Sequence, residues 1–269
     1  MLGVCMEIID EAVILAIRRF GERGAIVTLF SARHGVLSGL VKQATSKAMR
    51  GVLQPGNQVA VRWHARLNDQ LGILTLELTK PVAALLMADM RVLAGLNAAC
   101  SLLATYVPER EENSLLYQEF QRLISFWLHG EGEEVVAEYV RFELALLTAC
   151  GFGLDIEECA LTGRNEGLAY VSPRSGRAVC AEAAIPYISK LLRLPAFLSV
   201  ENSQKSALCR AQVIDGLHLS GYFLTRWLAE SAGRPLPPAR ARFVAQMQSE
   251  EALAPQNQDT VWAHAPALV

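Results

Sequence analysis

Aromatic side chains are few in this chain, 7% of 269 residues, and charged ones make up only 19%. Histidine is scarcer still. His34, His64, His129, His218 and His264 stand far apart, and no two share a metal-ligand spacing. The glycine-rich dinucleotide loop, the Walker lysine loop, the HExxH zinc motif and the GxSxG nucleophile elbow are all missing. Cys5, Cys100, Cys150, Cys159, Cys180 and Cys209 are too thinly spread for a secreted disulfide scaffold. The longest uncharged run, residues 92–108, is interrupted by Asn97, Ser101 and Thr105, and falls short of the ~20 apolar residues of a membrane span. Residues 1–6 lack a cationic leader and an apolar core, and Asp10 and Glu11 follow at once, so no signal peptide is expected. Cys5 lies in a faintly lipobox-like LGVC with nothing hydrophobic before it, and Met6 serves as well as Met1 for a start. The expectation is a protein of the reducing cytoplasm, with no membrane contact and no cofactor.

What is present points to a folded chain. Hydrophobic residues reach 52% and the mean hydropathy is +0.23, which excludes disorder. Length suggests about two domains at ~150 residues each. The net charge of −2 argues against a nucleic-acid partner, but it hides an asymmetry. Residues 1–80 hold ten Lys/Arg against six Asp/Glu, and residues 81–150 hold four against ten. No acid occurs between Ser31 and Asn68, where Arg33, Lys42, Lys47, Arg50, Arg62 and Arg66 stand. Such a stretch in a mildly acidic protein is the footprint of an anionic polymer, or else a basic face kept for solubility.

Periodicity divides the chain. Runs at 12–18, 25–30, 36–42, 59–63 and 72–78 read as strands, separated by the turns Gly21-Glu22-Arg23-Gly24, Arg33-His34-Gly35 and Gln54-Pro55-Gly56-Asn57. Five short strands in so few residues predict a small closed barrel of the OB type. Beyond Pro81 the period becomes helical, with helices expected over 82–106, 114–129, 135–150 and 206–231, and a shorter one ending near Met247. Glu131, Glu133 and Glu134 suit a solvated helix start. Residues 151–186 carry too many Gly and Pro for a long helix and read as a compact insertion. The fold class is therefore α+β: a five-stranded OB barrel at 1–80, a helical bundle at 81–150 and 187–248, an insertion at 151–186 and a flexible tail at 249–269.

An OB barrel binds single strands in a groove of cations with aromatic faces for bases. Trp63 lies between Arg62 and Arg66, and Arg18-Arg19-Phe20 ends the first hairpin strand. Trp63 and Phe20 are either stacking platforms or barrel core, whereas strand alternation turns Arg62 away from Val61 and Trp63. Cys159 and Cys180 lack the two further ligands of a structural zinc site, since Thr162 and Ala183 occupy the positions three residues on. Arg141-Phe142 and the run from Tyr222 to Trp227 suit either a partner groove or bundle core. Arg226, Arg234, Arg240 and Arg242 supply a candidate second phosphate-contacting surface. A hydrolase using Cys159 or Cys180 is a remote alternative.

The segments Asp10-Glu11-Ala12-Val13-Ile14-Leu15, Ala25-Ile26-Val27-Thr28-Leu29-Phe30, Val52-Leu53-Gln54-Pro55-Gly56-Asn57, Arg141-Phe142-Glu143-Leu144-Ala145-Leu146-Leu147, Gly151-Phe152-Gly153-Leu154-Asp155 and Tyr170-Val171-Ser172-Pro173-Arg174-Ser175-Gly176-Arg177 occur in this order. With Tyr222-Phe223-Leu224 and the tail Leu236-Pro237-Pro238-Ala239-Arg240, the set resembles the bacterial RecO family of recombination mediators over residues 6–245. The resemblance implies an OB domain, a helical bundle and a zinc-finger-like insertion. It also implies binding of single- and double-stranded DNA, annealing of complementary strands, and contact with the C-terminal tail of single-stranded DNA-binding protein (SSB). In the RecF pathway of homologous recombination and the DNA-damage (SOS) response, such proteins work with RecR to load RecA, without bond-making chemistry. This chain keeps Cys159 and Cys180 as remnants of the four-cysteine pattern that binds zinc in some members, so a metal-free insertion is expected. The segment Gln43–Arg50 carries only Lys47 and Arg50 where the family loop is often richer in arginine. The DNA-contacting residues expected are Arg33, Lys42, Lys47, Arg50, Arg62, Arg66, Arg226, Arg240 and Arg242. A rival reading is an adaptor whose barrel docks protein partners.

Overall fold

A computed structural model describes residues 6–65, 71–130, 132–199 and 208–253. Arg66, Glu131 and the tail beyond Leu253 lie outside the described residues.

Five strands open the chain: β1 (Met6–Phe20), β2 (Gly24–Ser31), β3 (Gly35–Val41), β4 (Gln58–Ala65) and β5 (Gly72–Lys80), with a short helix α1 (Lys47–Val52) between β3 and β4. They close in the order β1-β2-β3-β5-β4, an OB barrel, and β3 runs parallel to β5. Alternation sends Ile8, Ile14, Val27, Leu29, Leu37, Val61, Trp63 and Leu74 inward as one core. Trp63 is 1% exposed and its indole N–H donates to the Ser38 carbonyl at 3.2 Å, so it is barrel core and not a stacking surface. Gly72 is required beneath it, because a Cβ there would meet the indole at 2.3 Å.

The run at 12–15 is apolar on every residue because β1 is covered on both faces. Ile14 points into the barrel, while Val13 and Leu15 join Phe30 and Val36 in a second core shared with the helices. That core is built by α2 (Val82–Leu85), α3 (Met90–Tyr106), α4 (Ser114–Trp127) and α5 (Glu134–Ala149). The helix expected over 82–106 is broken at 86–89, where Asp89 caps α3 by accepting from the N–H groups of Arg91 and Val92. Phe120, Trp127, Tyr139 and Phe142 pack stacked or tilted at its centre, with ring centroids 5.6–6.3 Å apart.

The insertion is a four-stranded sheet in the order β6-β8-β7-β9, formed by β6 (Asp155–Cys159), β7 (Leu168–Val171), β8 (Arg177–Cys180) and β9 (Leu192–Arg193). A single turn, α6 (Ala181–Ala184), follows β8. The chain then returns to the bundle through α7 (Arg210–Phe223), a π-helical stretch Leu224–Ala229, α8 (Glu230–Ala232) and α9 (Pro238–Leu253). Phe223 and Leu224 are fully buried and Phe223 meets Trp227 edge-on, so the aromatic side of the Tyr222–Trp227 run is bundle core, while Thr225 and Arg226 face outward. Phe142 is core as well, while the neighbouring Arg141 pairs with Glu138 and donates to the Phe197 carbonyl.

Candidate nucleic-acid interface

The acid-free run does not form one surface. Antiparallel pairing sets Arg19 opposite Ala25 and Ala25 opposite Val41, which gathers the end of β1, the β1–β2 turn and the end of β3. Lys42 follows directly. Gln43, in a left-handed conformation, turns the chain back, and the Ser46 hydroxyl caps α1, which carries Lys47 and Arg50. Arg19 and Arg50 border an open pocket of about 450 Å³ floored by Ile17, Ala25, Ala44 and Leu53. Arg18, Phe20 and Arg23 flank the same end, all exposed. Among the described residues no carboxylate lies within ion-pair reach of Lys42, Lys47, Arg50, Arg18, Arg19 or Arg23. Phe20 is 52% exposed, an apolar ring standing among cations.

The other cations of the run lie elsewhere. Arg33 is at the far end of β2, about 23 Å away at ~3.3 Å per residue. It pairs with Asp10 at 3.2 Å, and His34 meets the same carboxylate at 2.9 Å. Burial works against the Asp10 charge, but the hydrogen bond with His34, the Glu11 N–H and the positive charge of Arg33 outweigh it and lower the pKa. Arg62 points outward, as alternation requires, and faces Glu7 at 3.6 Å. The middle of the β2–β3 face carries Thr28 and Ser38 in contact, and Ser38 donates to the Glu109 carboxylate at 2.8 Å.

The arginines of the last helices divide three ways. Arg242 is exposed, and Arg226 is exposed but paired with Glu230 at 2.7 Å. Arg234 donates to the Thr105 carbonyl at 3.2 Å. Arg240 corrects the expectation. It is 7% exposed and grips the fully buried Glu143 through two hydrogen bonds of 2.7 and 2.9 Å, with a third to the Leu217 carbonyl. A guanidinium committed in this way cannot reach a phosphate. The sequence-based list also omits Arg18, Arg19 and Arg23. They stand before the acid-free window, although Arg18-Arg19-Phe20 at the end of the first hairpin strand already marks that end of the barrel in the sequence.

Cys159 and Cys180 lie together in the insertion sheet with their sulfurs 3.6 Å apart. Among the described residues no three His, Cys, Asp or Glu side chains form a metal-holding group, and no helix is long and apolar enough to cross a membrane.

The fold and this cationic end define a barrel-and-bundle protein of the nucleic-acid-handling class. Two family models match the chain, "Recombination protein O N terminal" over residues 6–82 and "Recombination protein O C terminal" over residues 87–238. A DNA repair protein RecO of Rhodospirillum rubrum is 46% identical over 243 residues, covering 89% of this chain and 95% of its own length. Namesakes from Roseobacter denitrificans and Granulibacter bethesdensis are 42% and 43% identical, covering 89% and 87% of this chain and 97% and 93% of their own lengths. The chain belongs to the recombination protein O family, and its role lies in DNA repair.

Proposed function

We propose that this protein is a mediator of the RecF pathway, acting by electrostatics and not by covalent chemistry. It binds single- and double-stranded DNA at the end of the barrel where Arg18, Arg19, Arg23, Lys42, Lys47 and Arg50 converge. The observation that carries this reading is the gathering itself: Arg19 and Arg50 border one open pocket, Arg23, Lys42 and Lys47 stand exposed at the same end, and none of these cations is in a described ion pair, although Glu22 shares the β1–β2 turn. Two complementary strands repel, and a surface that neutralises backbone phosphates on both lowers the barrier to pairing. Phe20 offers a face on which a base can stack. Arg226 and Arg242 on the last helices supply a second, weaker phosphate contact, and Arg33 and Arg62 contribute only by giving up Asp10 and Glu7. Coated DNA is engaged through the C-terminal tail of SSB, and RecA loading proceeds together with RecR, in the cytoplasm at the nucleoid.

The test is annealing of complementary oligonucleotides coated with SSB, with DNA affinity measured across a salt series. The Lys47→Glu, Arg50→Glu double variant should anneal slowly. Loss of two phosphate contacts should lower the salt slope on single strands by about 1.4. Unchanged slope and annealing would remove this end of the barrel from the DNA path and favour the adaptor reading.

A further inference from the structure

The insertion sheet holds two thiols for which DNA binding has no use. Cys159 ends β6 and Cys180 ends β8, and both are buried, at 1% and 3% exposure. Their sulfurs stand 3.6 Å apart, about 1.5 Å beyond the ~2.05 Å of a disulfide. Backbone hydrogen bonds hold them there. The Cys180 N–H donates to the Cys159 sulfur at 3.3 Å, the Cys159 N–H to the Arg164 carbonyl at 2.7 Å, and the Gly163 N–H to the Cys159 carbonyl at 2.8 Å. The Thr162 hydroxyl completes the turn over the pair, 3.8 Å from the Cys180 sulfur. Their neighbours Ala160, Leu161 and Val179 line an open cavity of about 350 Å³ beside the strand ends.

We propose that Cys159 and Cys180 form a reversible dithiol–disulfide site whose oxidant is a hydroperoxide. The Cys159 thiolate attacks the peroxide, the O–O bond breaks, and the departing oxygen leaves as water or alcohol after taking a proton. Cys159 is then a sulfenic acid. The Cys180 sulfur attacks it, the S–S bond forms, the S–O bond breaks, and the hydroxyl leaves as water with the Cys180 proton. Overall two thiols are oxidised and one hydroperoxide is reduced. A thiol reductant returns the pair.

The Cys159 sulfur, which accepts the Cys180 N–H at 3.3 Å, is the attacking one. Burial opposes its charge, but hydrogen bonds from Thr162, and from the backbone of Cys180 and Leu161, outweigh that and bring its pKa down to about 6. Elsewhere burial pushes the Cys100 thiol up to about 12 and raises that of Cys150. Cys209 is exposed.

The experiment uses the full chain with Cys209→Ser, which leaves five of the six cysteines and removes cross-linking through the exposed thiol. After reduction, the protein meets hydrogen peroxide, is denatured, and is alkylated with N-ethylmaleimide. Expected is a fall from five alkylated thiols to three, a peptide linking Cys159 to Cys180, and recovery of five after dithiothreitol. Five alkylated thiols after peroxide, a bond between other cysteines, or a sulfinic acid without a cross-link would each overturn the proposal. Cys180→Ala provides a second reading. It should accumulate a sulfenic acid at Cys159 that dimedone traps, and its absence there overturns the proposal equally.

Discussion

Replacing Arg240 by Ala separates a structural arginine from a DNA-contacting one. The side chain closes a network in which Arg240 binds both oxygens of Glu143, and Ser220 donates to the same carboxylate at 2.5 Å. Glu143 has no exposed surface, so truncation of Arg240 strands a carboxylate with one hydroxyl for support. Removing one partner of a buried ion pair costs about 3–5 kcal/mol. At about 2–4 °C per kcal/mol for a chain of this order, the melting temperature should fall by roughly 6–20 °C. Replacing both Glu143 and Arg240 by Met should recover most of that loss, because an apolar pair leaves no charge behind. Thermal and urea unfolding measure the stability, and a salt series of oligonucleotide binding, well below the new melting point, measures the affinity. An R240A protein that melts within about 2 °C of the parent yet binds DNA with a shallower salt slope would refute the placement of this arginine in the core.

Phe20→Ala should weaken single-strand binding by about 1–3 kcal/mol if one base stacks there. It should leave the melting temperature almost unchanged, and fluorescence titration with oligonucleotides against a thermal melt distinguishes the two effects. Gly72→Val should destabilise the barrel by about 1–3 kcal/mol or more through its clash with the Trp63 indole, read by near-ultraviolet circular dichroism and urea unfolding. Asp10 has a lowered pKa in the fold, so its contribution is complete above its ordinary value of 3.8 and disappears as the pH falls through the lowered one. Melts from pH 6 to pH 2 should show that loss, and Asp10→Asn should be less stable at pH 6 with a flatter acid limb.

Much of the barrel is legible because β4 and β5 alternate as half-buried strands do, and because turns bracket the β-rich runs of β2 and β3. The sequence marks only 12–18 of β1, since its first residues place Glu7, Asp10 and Glu11 beside apolar neighbours and only pairing with β4 shows them to be one strand. The strand and helix periods assign no element to Lys47 and Arg50, although Ser46 is a capping signal for the short helix that carries them. The cationic end was half legible. A window along the chain finds Lys42, Lys47 and Arg50, but only the register of a hairpin brings Arg18 and Arg19 to them. The same window credits Arg33 and Arg62, whose acidic partners come from a strand more than 20 residues earlier. Arg240 was illegible for a similar reason: its partner lies 97 residues away on another helix.

The double coverage of the first strand limits how this molecule can be divided. A fragment cut near residue 82 would carry Val13, Leu15, Phe30 and Val36 bare to water, and the helical remainder would lose the wall that these four residues complete. Neither piece is self-sufficient, so the halves should melt in one transition, and excised barrels should aggregate through that greasy flank unless its four side chains are made polar.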